Sequence, residues 1–283
     1  MGFSLFRQVV DEAKEFIYDA DLFGGGEPLL NPEISRMVEY AKSAGLHVRL
    51  HTNATKLSRG LALELIESGL DFLSFSFDGY DKEHYERTRV NARYEETLEN
   101  IRVFLEVKKS KNVSHPYTVM QAIRPHGHPE RDDEAAKLAF RQQFSSLPLN
   151  EFRVIDEHNY GGKIRPVSGE GGNRYSPCTF PWYATYVLWD GSIVPCCVDW
   201  WGEYQLGRVP DTSIREAWNS QMMQSLRDKL AHRQYREVEI CRHCDRLWRD
   251  RRFGIPMRDV RVLKTFLREH LIGYPKARRT NKR

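Results

Sequence analysis

Between residues 17 and 155, five short runs rich in β-branched and aromatic residues alternate with segments of helical periodicity, and no other feature constrains the fold as strongly. The strand-like runs are 17–23, 46–51, 72–77, 117–123 and 152–155. Helical spacing is read at 5–16, after Asn31 (with apolar Ile34, Met37, Val38 and Ala41), at 58–68, at 94–107 and over about 132–144. Ser58 suits the start of its helix and Gly69 its stop. Strands separated by helices imply a parallel sheet with right-handed crossovers, open or barrel-like.

Such sheets place their sites on loops at the carboxyl ends of the strands. Here those loops carry Gly24, Gly25, Gly26 and Glu27, then Thr52 and Asn53, then Ser76 and Asp78. Taken singly, each has an ordinary reading as a turn or strand residue. Together they bring a carboxylate, an amide and a hydroxyl to one rim, and three glycines allow a ligand close to backbone. The expectation is a polar ligand with a cationic group held by Glu27.

Hydrophobic residues make up 40% of the chain and aromatics 12%, enough for a packed core. The net charge of +4 does not imply nucleic acid, and the basic run 276–283 reads as a solvated end. No apolar run reaches membrane-span length and the amino terminus has no signal-peptide pattern, so no membrane partner and a cytoplasmic location are expected. In a reducing compartment the 5 cysteines favour a metal site over disulfides.

All of them lie in the carboxyl half, beyond a glycine-rich stretch at 160–176 that reads as a linker or long loop. Cys178 comes first; a hairpin with an Asp190-Gly191 turn leads to Cys196-Cys197; a helix at 213–231 leads to Cys241-x-x-Cys244; a last helix is expected at 258–271. Four thiolates suit tetrahedral zinc or a four-iron cluster, and spacing leaves the two open. Adjacent side chains in extended backbone point apart, so one of Cys196 and Cys197 is expected to be a ligand and the other not. Asp199 is read as a candidate proton acceptor, the aromatics Trp182, Trp200, Trp201 and Tyr204 as small core or pocket lining, and His126 with His128 as a solvated loop or metal chelate.

The segments Gly24-Gly-Gly-Glu-Pro-Leu-Leu30, Thr52-Asn53, Ser74-Phe-Ser-Phe-Asp-Gly79 and Tyr85 to Arg89 resemble the S-adenosylmethionine-binding core of radical SAM enzymes. Cys178, Gly191 with Cys196 five residues on, Asp199, Trp218-Asn219 and Cys241-x-x-Cys244 are similar to a SPASM or twitch extension. The resemblance implies an α/β fold: a partial (β/α)6 TIM-like barrel missing its first strand over 1–159, a linker or loop at 160–177, a small α+β cysteine-rich SPASM/twitch domain over 178–248, and a helix and basic tail over 249–283. It implies that Gly25, Gly26 and Glu27 hold the amino group of S-adenosylmethionine, that Ser76 and Asp78 lie near its ribose and carboxylate, and that Thr52 and Asn53 support the rim. It also implies one auxiliary [4Fe-4S] cluster on Cys178, Cys196, Cys241 and Cys244, a peptide, sugar or small-metabolite substrate, and an electron donor such as flavodoxin or ferredoxin.

One departure matters. Radical SAM enzymes hold their radical-generating cluster on a Cys-x3-Cys-x2-Cys loop before the first helix, and this chain has no cysteine before Cys178. The expectation is a truncated copy that forms the radical cluster only if a missing amino-terminal segment exists, and that is inactive as written. Without its neighbour, the strand at 17–23 would be a bare apolar edge. The alternative is a non-catalytic binding module stapled by iron-sulfur or zinc.

Overall fold

The computed structural model describes residues 1–124, 134–164 and 174–249, with the isolated positions 251–252, 255–256, 260, 263–264 and 267. His126 and His128, the stretch 165–173, the basic tail and most of the helix expected at 258–271 lie outside the described residues. By their contacts the described residues form two units, one of Lys14–Glu157 and one of Met1–Ala13 with residues from His158 onward.

In chain order the elements of the amino-terminal half are α1 (Phe3–Ala13), β1 (Asp19–Leu22), α2 (Ile34–Ser43), β2 (His47–Thr52), α3 (Arg59–Glu67), β3 (Phe72–Ser76), α4 (Lys82–Thr88), α5 (Tyr94–Ser110), β4 (Tyr117–Arg124), α6 (Glu134–Gln142) and β5 (Glu151–Asp156). The strands form one sheet in the order β1-β2-β3-β4-β5, every pair parallel. Sequence order equals spatial order, so each crossover joins neighbouring parallel strands. All five strand expectations hold within two residues. Helix α4 escaped sequence reading because Tyr85 is its one buried position; Asp81 starts it by accepting the His84 N–H at 2.8 Å.

Alternation along the strands gives the sheet two unlike faces. Phe75, Thr118 and Phe152 lie on the face covered by helices: Phe75 meets Phe104 of α5 at 5.6 Å, Lys108 of α5 reaches Thr118 at 3.3 Å, and Phe152 packs on Phe140 and Phe144. Under α2 the predicted Ile34, Met37, Val38 and Ala41 are all buried. The opposite face carries Asp19, Asp21, His47, Arg49, His51, Phe72, Ser74, Ser76, Tyr117, Val119, Glu151 and Arg153, a mostly polar set. At the sheet edge, the register partners Asp19–His47 and Asp21–Arg49 also pair through their side chains, at 3.0 and 3.1 Å. Charges there discourage further strand addition.

The second unit contains α1, β6 (Arg174–Tyr175), α7 (Phe180–Tyr183), β7 (Tyr186–Val187), β8 (Ser192–Val194), β9 (Gly207–Arg208), α8 (Ile214–Asn219), α9 (Gln221–Ala231), α10 (Glu239–Arg242) and β10 (Trp248–Arg249). Strands β7, β8 and β9 form a small antiparallel sheet, with the expected turn at Asp190-Gly191. Gly191 has φ +92, and an added Cβ would lie 2.8 Å from the Val209 carbonyl oxygen, so only glycine fits. The expected first hairpin strand is shorter because residues 180–183 take one helical turn that Pro181 favours at its start. The helix expected at 213–231 is two helices. Ser220 is extended (φ −61, ψ 154) and its hydroxyl accepts the Met223 N–H at 3.2 Å, so it closes α8 and caps α9. Glu12 of α1 accepts the Ile214 N–H at the start of α8, where a carboxylate is favoured.

Candidate functional site

The rim of the parallel sheet is built around Glu27. Its Oε1 accepts the Thr52 hydroxyl at 2.6 Å and the Leu29 N–H at 3.0 Å, and its Oε2 accepts the Asn53 N–H at 2.7 Å. A carboxylate offers about four acceptor positions, so three neutral donors orient it and leave room for a cationic donor. Thr52 in turn accepts the Ala54 N–H at 2.9 Å, and the Asn53 side chain folds the turn by accepting from the Thr55 N–H at 3.0 Å and hydroxyl at 2.8 Å. Glu27, Thr52 and Asn53 thus form one network across two adjacent strand ends.

Above Gly26 the space is open: a Cβ built there meets nothing within 4 Å, and its φ is ordinary. Neither packing nor backbone conformation demands glycine at that position. Ser76 lies half-buried at the end of β3.

Asp78 is placed differently. It is 3% exposed; Oδ1 accepts the Ile123 N–H at 2.7 Å and Oδ2 pairs with Arg89 at 2.5 Å. An added Cβ at Gly79 would come within 2.9 Å of the Tyr85 nitrogen, and Phe77 stacks on Tyr85 at 4.3 Å. The Ser-Phe-Asp-Gly and Tyr85 to Arg89 segments therefore lock together as a wall, with Asp78 as the charge at its centre. Sequence reading missed the Arg89 partnership because nothing in the spacing marks it.

In the second unit Cys178 and Cys244 are buried, while Cys196, Cys197 and Cys241 are half-buried. The hydrogen bond with Cys197, then burial, push the Cys196 thiol well above its ordinary value. Burial raises Cys241, with the Cys244 and Cys178 sulfurs adding to it, and raises Cys244 to about 11. Burial disfavours the Arg246 charge, yet the sulfurs of Cys197, Cys196, Cys178 and Cys244 hold its guanidinium above the ordinary value.

These thiols share one neighbourhood, in which thiolates would repel each other unless a cation joined them. Among the described residues no group of three or more His, Cys, Asp or Glu side chains is placed to hold a metal ion. Buried and half-buried thiols beside a guanidinium are a donor set that fits an iron-sulfur cluster.

The Cys241-x-x-Cys244 turn is held by Asn159, which is fully buried. Its Nδ2 donates to the His243 carbonyl at 2.6 Å, its Oδ1 accepts the Asp245 N–H at 3.1 Å, and its own N–H donates to Asp245 Oδ2 at 2.7 Å. Gly162 (φ +94) lies so close that a Cβ would come 2.5 Å from His243. Asn159, the last residue of the expected barrel segment, and residues 161–162 of the expected linker are therefore packed against the cysteine turn. Asp199 is spent on backbone: its oxygens accept the Glu203 N–H at 2.8 Å and the Tyr204 N–H at 2.9 Å. Trp200 packs on Tyr160 at 4.8 Å, whereas Trp201 and Trp182 are exposed.

A parallel sheet with this rim, followed by this cysteine unit, defines a class. The sequence model of the Radical SAM superfamily matches residues 3–138, and that of the SPASM iron-sulfur cluster-binding domain matches 178–245. The chain belongs to the radical SAM superfamily and carries a carboxyl-terminal SPASM domain. It is 37% identical over 101 residues to the AdoMet-dependent heme synthase of Methanosarcina barkeri, a match covering 33% of this chain and only 29% of that protein. It is 24% identical over 264 residues to the tungsten-containing aldehyde ferredoxin oxidoreductase cofactor-modifying protein of Pyrococcus furiosus, covering 78% of this chain and 73% of that one. The solved structure of BtrN in complex with AdoMet and 2-DOIA superposes with TM-score 0.54 at 16% identity, covering 87% and 80% of the two chains. Among the described residues no helix is long and apolar enough to cross a membrane.

Proposed function

We propose that this chain binds S-adenosylmethionine on the rim formed by Gly25, Gly26, Glu27, Thr52, Asn53 and Ser76, and one auxiliary [4Fe-4S] cluster on Cys178, Cys196, Cys241 and Cys244. The observation that carries the reading is the Glu27 carboxylate, oriented by three donors beside the open space over Gly26. Glu27 takes the ammonium group of the ligand, Thr52 and Asn53 hold Glu27 in place, and Ser76 offers its hydroxyl to the ribose. Asp78 braces the wall through Arg89. Cys196 is taken as the ligand rather than Cys197 because it stands five residues after Gly191, the spacing that the SPASM resemblance implies.

In this superfamily S-adenosylmethionine, once reduced by a radical cluster, supplies the 5'-deoxyadenosyl radical that takes hydrogen from a peptide, sugar or small-metabolite substrate. The 283 residues hold no cysteine before Cys178, hence no three-thiolate set for that cluster. By themselves they bind S-adenosylmethionine without cleaving it. An active enzyme of this type would draw electrons from a flavodoxin or ferredoxin in the cytoplasm.

The test is calorimetry of S-adenosylmethionine binding together with chromatography for 5'-deoxyadenosine after anaerobic reconstitution and dithionite reduction. Glu27→Gln should weaken binding by about tenfold or more, the size of a lost charge-assisted hydrogen bond. Rapid formation of 5'-deoxyadenosine would overturn the non-cleaving reading. The second reading, a metal-stapled binding module, is favoured by the same missing cysteines, and zinc without sulfide would support it.

A further inference from the structure

The turn after β2 holds one residue in a conformation that its type disfavours. Ala54 has φ +61, in the left-handed region, and is 0% exposed. Alanine has no polar side chain with which to hydrogen-bond backbone there, and its Cβ is crowded by the carbonyl oxygen, so ordinary φ is favoured by roughly a factor of ten. The surroundings of Ala54 therefore have to hold it. Its N–H donates to the Thr52 hydroxyl oxygen at 2.9 Å. Its carbonyl accepts two hydrogen bonds, the Leu57 N–H at 3.2 Å, which closes the turn locally, and the Asn100 Nδ2 at 3.0 Å.

Asn100 reaches the turn from outside it, 46 residues further along the chain. It is half-buried on α5, where Thr97 and Phe104, three residues before it and four after, are buried on the same side of the helix. Phe104 meets Phe75 of β3 at 5.6 Å, so the amide is carried by a helix anchored on the sheet. The left-handed φ of Ala54 sets the plane of the peptide that joins it to Asn53, and with it the direction of the N–H on Thr52. That hydroxyl, having accepted there, donates to Glu27 Oε1 at 2.6 Å, and the adjoining Asn53 N–H donates to Oε2 at 2.7 Å. A return of Ala54 to ordinary φ turns the peptide and displaces both donors.

We propose that Asn100 is a positioning residue for Glu27: by holding the Ala54 carbonyl it keeps the turn left-handed, and so keeps Thr52 and Asn53 on the two carboxylate oxygens. This rests on the proposed function for the identity of the ligand whose ammonium group Glu27 takes. Asn100 acts through Ala54 and does not itself bind that ligand.

The test is a double-mutant cycle on the full chain. Asn100→Ala, which suits a helix, and Asn100→Asp, which keeps the volume and loses the donor, are each made alone and together with Ala54→Gly. S-adenosylmethionine affinity is measured by titration calorimetry, and hydrogen exchange of the Asn53 and Ala54 amides by NMR on the ligand-free protein. Alone, both Asn100 variants should bind the ligand about tenfold more weakly and exchange the two amides faster by a similar factor. Together with Ala54→Gly, for which positive φ carries no penalty, the same substitutions should cost about threefold or less. An equal loss with and without Ala54→Gly overturns the proposal, because Asn100 then acts by packing. So does unaltered amide exchange in Asn100→Ala, or behaviour of Asn100→Asp like that of the unmodified chain. Absence of S-adenosylmethionine binding to the unmodified chain refutes the proposed function, and the exchange rates then decide Asn100 by themselves.

Discussion

Gly26→Ala separates a glycine kept for the fold from one kept for a ligand. The backbone of Gly26 is not in the left-handed region, and an added Cβ meets no atom within 4 Å. Alanine should therefore fit the free protein without strain and, by restricting the unfolded chain, raise stability by about 0.4–1 kcal/mol. For a unit of this size that is a rise in melting temperature of about 1–3 °C. If S-adenosylmethionine closes on Gly26, the same methyl enters the volume the ligand needs, and overpacking of that kind costs about 1–3 kcal/mol, or roughly five- to 150-fold in affinity. Differential scanning calorimetry of the free protein and isothermal titration with S-adenosylmethionine read the two effects on one sample. Unchanged affinity would refute the reasoning, since it would mean that nothing approaches Gly26. A large loss of stability would refute it from the other side.

Other perturbations give equally definite expectations. Thr52→Val keeps shape but removes the 2.6 Å hydrogen bond to Glu27 and strands the Ala54 N–H, so chemical denaturation should show a loss of about 2–4 kcal/mol and titration a weaker S-adenosylmethionine complex. Lys108 is 1% exposed among neutral acceptors on Thr118, Pro148 and Asn150, and burial lowers it from 10.5 to about 8. Between those values the unfolded chain holds a proton the folded chain has released, so Lys108 makes stability rise with pH by about 3 kcal/mol across the window. Lys108→Met should remove that rise in pH-dependent urea melts; an identical pH slope in the variant would contradict the burial argument. Asn159→Leu leaves the Asp245 N–H and the His243 carbonyl unpaired, and should lower iron retention after desalting more than it lowers the melting temperature of the metal-free chain.

Much of the site was legible because parallel strand ends converge by topology. Glu27 and Thr52 stand 25 residues apart, yet alternation of strands and helices alone put them on one rim. The same logic found the helices whose apolar spacing reports one buried face, as in α2. It failed where a side chain's role depends on a distant partner chosen by packing. Asp78 looks like a turn residue or a ligand contact until Arg89 is seen beside it, and Asn159 looks like the end of the barrel segment although it clamps residues 84 and 86 positions away. Ser220 inside an otherwise helical pattern was a signal present in the sequence, because serine's hydroxyl competes for backbone donors and can start a helix as well as interrupt one.

The central claim is that Cys178, Cys196, Cys241 and Cys244 hold one four-iron cluster while Cys197 does not. Iron and acid-labile sulfide should be counted per chain after anaerobic reconstitution, in the unmodified protein and in each cysteine-to-alanine variant. The account predicts about four irons and four sulfides per chain, the stoichiometry of a [4Fe–4S] cluster, kept in Cys197→Ala and lost or degraded in the other four variants. One zinc without sulfide, or loss of the cluster in Cys197→Ala with retention in Cys196→Ala, would contradict it.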